Sequence, residues 1–308
     1  MSRPSDSSNP LKATIAYLAI CIIWGTTYFA ILKGLHAGLG PFTMGAMRFI
    51  IAALFFTGYQ LVSGQMRAGK SFILTNLLIG AVMMGGGQGF LFWAEQHISS
   101  GYAAILVAAL PLWFIVLDGT KRAAYLRNKK MLAALLFGFG GIVFLFARQV
   151  GAESSGFGLS QVYGTLAVLL SCVCWVLSSL YYSRHMQGTP LVSGLSWQLL
   201  GGALACILAL LLTGEHMKAD WLTLNSTAWT AVGYLAIAGS ICAFFAYHWL
   251  LRAWPPAVVG TYAYINPVIA VIIGYFLANE PLSGYQLVGM AVIITAAFMV
   301  NNLKGKIN

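Results

Sequence analysis

Arg48 is the charged side chain placed deepest inside an apolar run of this chain. It follows Pro41 by seven residues, about 10 Å down a helix at ~1.5 Å per residue. A cation at that depth is costly and calls for a cavity or a partner. The chemistry it offers is receipt of a carboxylate; the competing reading is an arginine that snorkels toward the interface. Trp24 and Tyr28 are spaced i,i+4 and share one helix face, and Trp175 and Ser179 repeat that spacing later in the chain. Tyr102, Trp197, Tyr262, Tyr264 and Asn266 add further aromatic or polar tips inside apolar runs, and Gln88 adds an amide. Rings with polar tips suit a pocket for amphipathic solutes. Trp and Tyr also form interfacial belts, the reading that fits Trp93 and Trp249 best. His248 could exchange protons near neutral pH, although a satisfied core histidine is the simpler reading. Glu95, Glu280 and Asp118 fall at the ends of runs, where charges reach water, so structural roles are expected for them.

The elements that must hold these residues are apolar. Of 308 residues, 59% are hydrophobic and 8% charged, with a mean hydropathy of +0.81. So few charges exclude disorder and a water-soluble globule; a polytopic membrane protein remains. The net charge of +10 arises from a shortage of acids, 7 against 17 Lys and Arg, and this sparse excess fits membrane orientation better than nucleic-acid binding. The cysteines Cys21, Cys172, Cys174, Cys206 and Cys242 lie in apolar runs and read as packing residues. About 20 apolar residues cross a bilayer as a helix. Ten such runs lie near 13–33, 41–63, 72–95, 101–118, 131–149, 160–183, 192–213, 227–251, 257–278 and 284–302. They lack the period-2 alternation of barrel strands. The first shows no small-x-small cleavage site and is expected to be a structural helix rather than a removed leader.

Alternating sides from a cytoplasmic N-terminus puts thirteen basic residues inside (Arg3, Lys12, Arg67, Lys70, Lys121, Arg122, Arg127, Lys129, Lys130, Arg184, Arg252, Lys304 and Lys306). Lys33, Arg148 and Lys218 fall outside. That split predicts both termini in the cytoplasm. The chain also repeats. Cys21 and Trp24 correspond to Cys172 and Trp175, an offset of 151; Pro41 corresponds to Pro190; Trp93 and Pro111 correspond to Trp249 and Pro267, an offset of 156. Five spans is an odd number, so the second copy, 156–308, enters the membrane opposite to the first, 1–155. Inverted repeats characterise secondary transporters. Pro111 and Pro267, matched prolines inside spans, are expected hinges. Gly85 to Gly89 lacks the Lys-Ser/Thr of a phosphate loop and reads, with Gly138, Gly140 and Gly141, as close helix approach.

The stretch from Ile22 to Phe29, Pro41 through Arg48-Phe49, Ala94-Glu95-Gln-His97 with Ser99-Ser-Gly101, Ala109-Leu-Pro111, Tyr262 through Pro267, and Asn279-Glu-Pro-Leu282 resemble, in order and spacing, the EamA-type branch of the drug/metabolite transporter superfamily. The resemblance covers nearly the whole chain. It implies an all-α membrane protein of ten helices, two inverted five-helix repeats around a central cavity, in the bacterial inner membrane. It implies export of small metabolites, amino acids first, with amino-acid exporters of the YddG type as the comparison. One departure stands out: the position matching Glu280 in the first half is Ala124, so a symmetric glutamate pair is missing. The first span, 11–33, holds no acid, which argues against a small-multidrug-pump mechanism. Cationic-drug efflux by a carrier of the same superfamily is the alternative. A membrane-embedded enzyme lacks any cluster to act with, and a channel lacks a filter or ring of charge. No metal or cofactor is expected, and the expected partners are a small-molecule substrate and the lipid bilayer, with the chain a monomer.

Overall fold

The structure is a computed structural model that describes residues 10–64, 69–98, 100–145, 158–215, 224–278 and 283–303. The motif from Asn279 to Leu282, with Glu280, lies outside the described residues, as do Ser99, Arg3, Arg67, Arg148, Lys218, Lys304 and Lys306. Among the described residues ten apolar helical segments follow one another, eight of them long and apolar enough to cross a membrane. The first four are Pro10–His36, Pro41–Ser63, Lys70–Ala94 and the pair Ser100–Ala108 with Leu110–Leu117. The next three are Lys129–Leu145, Leu159–His185 and Leu191–Thr213. The last three are Ser226–Ala253, the pair Pro256–Val259 with Tyr262–Ala278, and Gly284–Leu303. They are called here the first to tenth spans. A short basic helix, Arg122–Arg127, joins the fourth to the fifth. Among the described residues there is no strand, as a bilayer requires of a chain that is not a closed barrel.

Local chemistry sets the ends. Pro41 occupies the first turn of the second span, where its missing N–H costs nothing. The Glu215 carboxylate, at the end of the seventh span, accepts from the Phe42 and Thr43 N–H groups and from the Thr43 hydroxyl at 3.2, 2.7 and 2.6 Å. It thereby satisfies donors that a helix N-terminus leaves open. The second and seventh spans both stop on a glycine in the left-handed region, Gly64 at φ 64° and Gly214 at φ 68°, a conformation that a Cβ disfavours.

The packing is symmetric under exchange of the halves. The second span packs on the seventh and the fifth on the tenth. First on eighth answers sixth on third, first on ninth answers sixth on fourth, and second on eighth answers seventh on third. Glycines let these helices close. A Cβ on Gly80 would stand 1.8 Å from the Gln198 carbonyl oxygen, and one on Gly201 would stand 2.1 Å from that of Leu77. Gly85 meets Ala205, and Gly87 the Trp175 ring, in the same way, so the glycine run serves helix approach. Leucines, valines and phenylalanines such as Leu54, Phe55, Val62, Leu208 and Phe298 cover the outside.

Two features depart from the linear reading. The third and eighth spans each widen into a π-helix, Ala81–Gly86 and Leu235–Cys242, at matching places in the two halves. The matched prolines behave differently. The fourth span breaks at Ala109, with Pro111 opening its second helix. Pro267 lies within the continuous helix Tyr262–Ala278, and the ninth span breaks earlier, at Gly260 and Thr261.

Candidate functional site: a central cavity

The first span turns Trp24, Thr27, Tyr28 and Ile31 inward, one face at i, i+3, i+4 and i+7. The third turns Gln88, Leu91, Phe92 and Glu95 toward them by the same periodicity. Arg48 comes from the second span, Leu110 from the fourth, Ser171, Cys172 and Trp175 from the sixth, and Tyr262 and Asn266 from the ninth. Together these side chains line a cavity with about 700 Å³ of space between protein atoms, its mouth included.

Arg48 is 2% exposed. Its Nε donates to Ser240 Oγ at 3.0 Å, and Ser240 in turn donates to the Leu235 carbonyl within the π-helix at 3.0 Å. The guanidinium lies 4.8 Å from the Phe49 ring centre. No carboxylate among the described residues pairs with it. Trp24 Nε1 donates to the Gly239 carbonyl of the same π-helix at 3.1 Å. In the other half, Ser171 Oγ donates to the Gly87 carbonyl just past the π-helix of the third span. In each half, then, a carbonyl in or just past the π-helix accepts from the leading helix of the opposite repeat.

One side of the cavity is an aromatic floor. The Trp24 ring stands 4.7 Å from Tyr262, 5.2 Å from Tyr247, 5.5 Å from Phe244 and 5.6 Å from Trp175. Trp175 Nε1 donates to the Tyr247 hydroxyl at 2.9 Å. Ser179 Oγ donates to the Trp175 carbonyl at 2.7 Å, so the Tyr247 hydroxyl donates to Ser179 Oγ, also at 2.7 Å. Behind the floor His248 is fully buried; its Nδ1 meets the Phe244 carbonyl at 2.9 Å and its ring abuts Tyr182.

Beyond the floor the bundle stays shut. Tyr17 and Thr261 hydroxyls join the first and ninth spans at 2.7 Å. Arg252 donates to the Tyr182 hydroxyl at 2.8 Å and to the Thr189 carbonyl at 2.9 Å. Arg184 Nη2 meets Asp118 Oδ1 at 2.5 Å. Asp118 also accepts from the Thr120 hydroxyl and from the Thr120 and Lys121 N–H groups. Burial pushes its carboxyl up, but these hydrogen bonds and the Arg184 charge together hold it below the usual carboxylate range. A carboxyl held low in the folded state stabilises the fold above its unfolded value, near ~3.9, and loses that contribution as pH falls through the folded one. Asp118→Ala is therefore expected to cost about 2 kcal/mol at pH 7, with a difference from the parent that shrinks below about pH 4. Arg184→Ala, which leaves three of the four hydrogen bonds and removes a partner that is 36% exposed, should cost less than half as much. Thermal melting in detergent across pH 3–8 checks both.

Of the residues singled out in the sequence, the cavity gathers Trp24, Tyr28, Arg48, Gln88, Trp175, Tyr262 and Asn266. Ser179 and His248 lie in and behind the floor. Tyr264 is turned away and donates to the Leu135 carbonyl at 2.8 Å, tying the ninth span to the fifth. Tyr102 and Trp197 are half-buried on the fourth and seventh spans, outside the lining. Glu95, read from the sequence as a span-end charge, does cap the end of the third span and also lines the cavity, as do Thr27, Ser171 and Cys172. The signal for Glu95 was present: seven residues, two helical turns, separate it from Gln88.

Apolar helical segments, eight of them among the described residues long enough to cross a membrane, surround a partly enclosed cavity that edge-packed rings and the Arg184–Asp118 pair close at one end, and so define a polytopic membrane transport protein. The chain belongs to the EamA-like transporter family, which matches residues 11–147 and again 162–302. It is 32% identical to the inner membrane transporter YedA of Escherichia coli (strain K12), over 92% of this chain and 89% of that one. It is 27% identical to the protein PecM of Dickeya dadantii, over 94% and 91%. A probable amino-acid metabolite efflux pump of Escherichia coli (strain K12) is 24% identical, over 94% of each chain. One solved crystal structure superposes with a TM-score of 0.75 at 20% identity, over 95% of this chain and 98% of that one, and shares the fold.

Proposed function

We propose that this transporter exports amino acids and similar small amphipathic metabolites across the bacterial cytoplasmic membrane by alternating access, with two inverted repeats, 1–155 and 156–308, rocking around the central cavity. The observation that carries this reading is Arg48, a buried cation without a described acidic partner, facing an aromatic-walled cavity. An intramembrane charge marks a substrate path, and a carboxylate is its natural counter-charge. The exchange symmetry of the packing supports the inverted repeat. The efflux-pump name of one relative supports the substrate class. Lys121, Arg184 and Arg252 line one recess at the closed end, which the basic-residue rule assigns to the cytoplasm along with both termini.

The test is counterflow of labelled amino acids in proteoliposomes at set pH gradients. Saturable uptake that rises with unlabelled amino acid on the opposite side is expected; uptake that is absent, or linear with concentration, overturns the reading. Ethidium serves as a competing cation, and its efficient exchange in place of amino acids would favour cationic efflux.

The hinge reading of the prolines carries its own expectation. Pro267 has no N–H to give the Ala263 carbonyl one turn earlier, near the break at Gly260. Pro267→Ala should slow counterflow several-fold with folding yield little changed, measured as turnover per monodisperse protein. Unaltered turnover would leave the proline a structural role.

A further inference from the structure

The cavity that Arg48 lines is also lined by two acceptors from a different helix. Gln88 and Glu95 stand two turns apart on one face of the third span and both line the space. Gln88 Oε1 is buried with no hydrogen-bond partner. The Glu95 carboxylate forms no ion pair with a described cation, Arg48 included, and the phenol of Tyr28 and the amide of Asn266 stand close by. A buried acceptor without a donor is costly, and so is an acid shielded from water without a counter-charge. Here a guanidinium and an acceptor pair line one cavity without a direct ion pair between them. A solute with both charges could answer the guanidinium and the acceptors at once; a simple amine or a simple carboxylate leaves one of them unanswered.

We propose that Glu95, assisted by Gln88, is the ammonium-recognition pole of the substrate site, so that the cavity selects α-amino acid zwitterions over molecules carrying either charge alone. The carboxylate faces Arg48, the ammonium faces Glu95 and Gln88, and the side chain lies against Trp24, Trp175 and Tyr262. This assignment rests on the amino-acid reading above and adds the second pole to it.

The experiment compares three-member sets in proteoliposome counterflow: phenylalanine, 3-phenylpropionate and phenethylamine; leucine, 4-methylpentanoate and isoamylamine. In each set one member carries both charges and the others carry one. Each is tested as substrate and as competitor, with the parent protein and with Glu95→Gln, an isosteric change that keeps the side-chain volume. The parent is expected to prefer a zwitterion at least about tenfold over either single-charge analogue. Glu95→Gln is expected to weaken zwitterion and amine binding about tenfold or more and to leave the carboxylate unchanged. Gln88→Leu should weaken the zwitterion by a smaller factor. Thermal melting of each variant separates loss of recognition from loss of fold, and Glu95→Asp should recover part of the preference. Zwitterion exchange that survives Glu95→Gln overturns the inference alone. The same holds for a variant that keeps zwitterion affinity but no longer responds to the pH gradient, which assigns Glu95 to proton movement. If no zwitterion of either set exchanges in the parent, the amino-acid reading fails and the inference with it.

Discussion

Arg48→Met is expected to raise the apparent KM for amino acids about ten- to a hundredfold while leaving the protein as stable as the parent, or more so. The two halves of that expectation have one cause. Arg48 is buried with a single described side-chain hydrogen bond, to Ser240, and with no described carboxylate to offset its desolvation. Replacing an uncompensated buried charge by an apolar side chain of similar length removes a penalty from the folded state. In the loaded state proposed above, the same guanidinium would meet a carboxylate, a charge-assisted contact worth about 1.5–3 kcal/mol, which corresponds to the expected change in affinity. The site therefore carries a cost in stability that substrate relieves, the usual sign of a functional position. Arg48→Lys keeps the charge but loses the planar fork and the Nε contact, and should fall between the two. Counterflow kinetics and thermal melting in detergent, with and without substrate, measure both halves. A melting temperature several degrees lower with unchanged KM would instead make Arg48 a structural tie between the second and eighth spans.

Much of this site was legible because helical spacing and duplication act together. Trp24 and Tyr28 at i,i+4, with Trp175 one repeat later, must share inward faces if the two leading helices are equivalent, and the cavity contains all three. Rotation about a helix that is apolar all round is harder to read, because no polar face marks the outside. Tyr262 and Tyr264 illustrate the limit: two residues turn a helix by about 200°, and while one lines the cavity the other reaches the fifth span. Trp197 and Tyr102 were out of reach for the same reason. The π-helices were illegible on different grounds. One extra residue per widened turn leaves the composition unchanged, yet it decides where Ser240 and the Gly239 carbonyl point, and hence how Arg48 and Trp24 are held. Glu95 carries two signals at once: it caps the end of its span, as its position in the sequence indicates, and its phase with Gln88 also turns it toward the cavity.

Trp24→Ala should turn the carrier into a leak. The indole packs on four other rings of the floor and is pinned to the eighth span through the Gly239 carbonyl. Truncating a buried tryptophan costs about 3–5 kcal/mol, part of it from the void left behind, so a lower melting temperature is the first expected result. The second concerns coupling. The alternating access proposed above needs at least one barrier intact at every moment, and on the closed side that barrier would begin with this ring cluster. With the indole gone, solute can pass the floor without the repeats exchanging states. Net efflux should then rise relative to counterflow, and unlabelled substrate on the opposite side should no longer accelerate uptake. Accessibility gives an independent readout. In a background with Cys172 and the other native cysteines replaced, Ser179→Cys places a thiol behind the Trp175 and Tyr247 rings. A membrane-impermeant maleimide added from the cavity side should label it slowly in the parent and at least about tenfold faster once Trp24 is alanine. Trp24→Phe keeps a ring in the floor and loses only the hydrogen bond to Gly239, so coupling should largely persist. Trp175→Ala, the matching change in the second repeat, should leak as well, because its indole anchors the Tyr247 hydroxyl. Equal labelling in parent and Trp24→Ala would place the barrier deeper, at the Tyr17–Thr261 contact and the Arg252 and Arg184 ties, and would reduce the aromatic floor to a wall of the binding site.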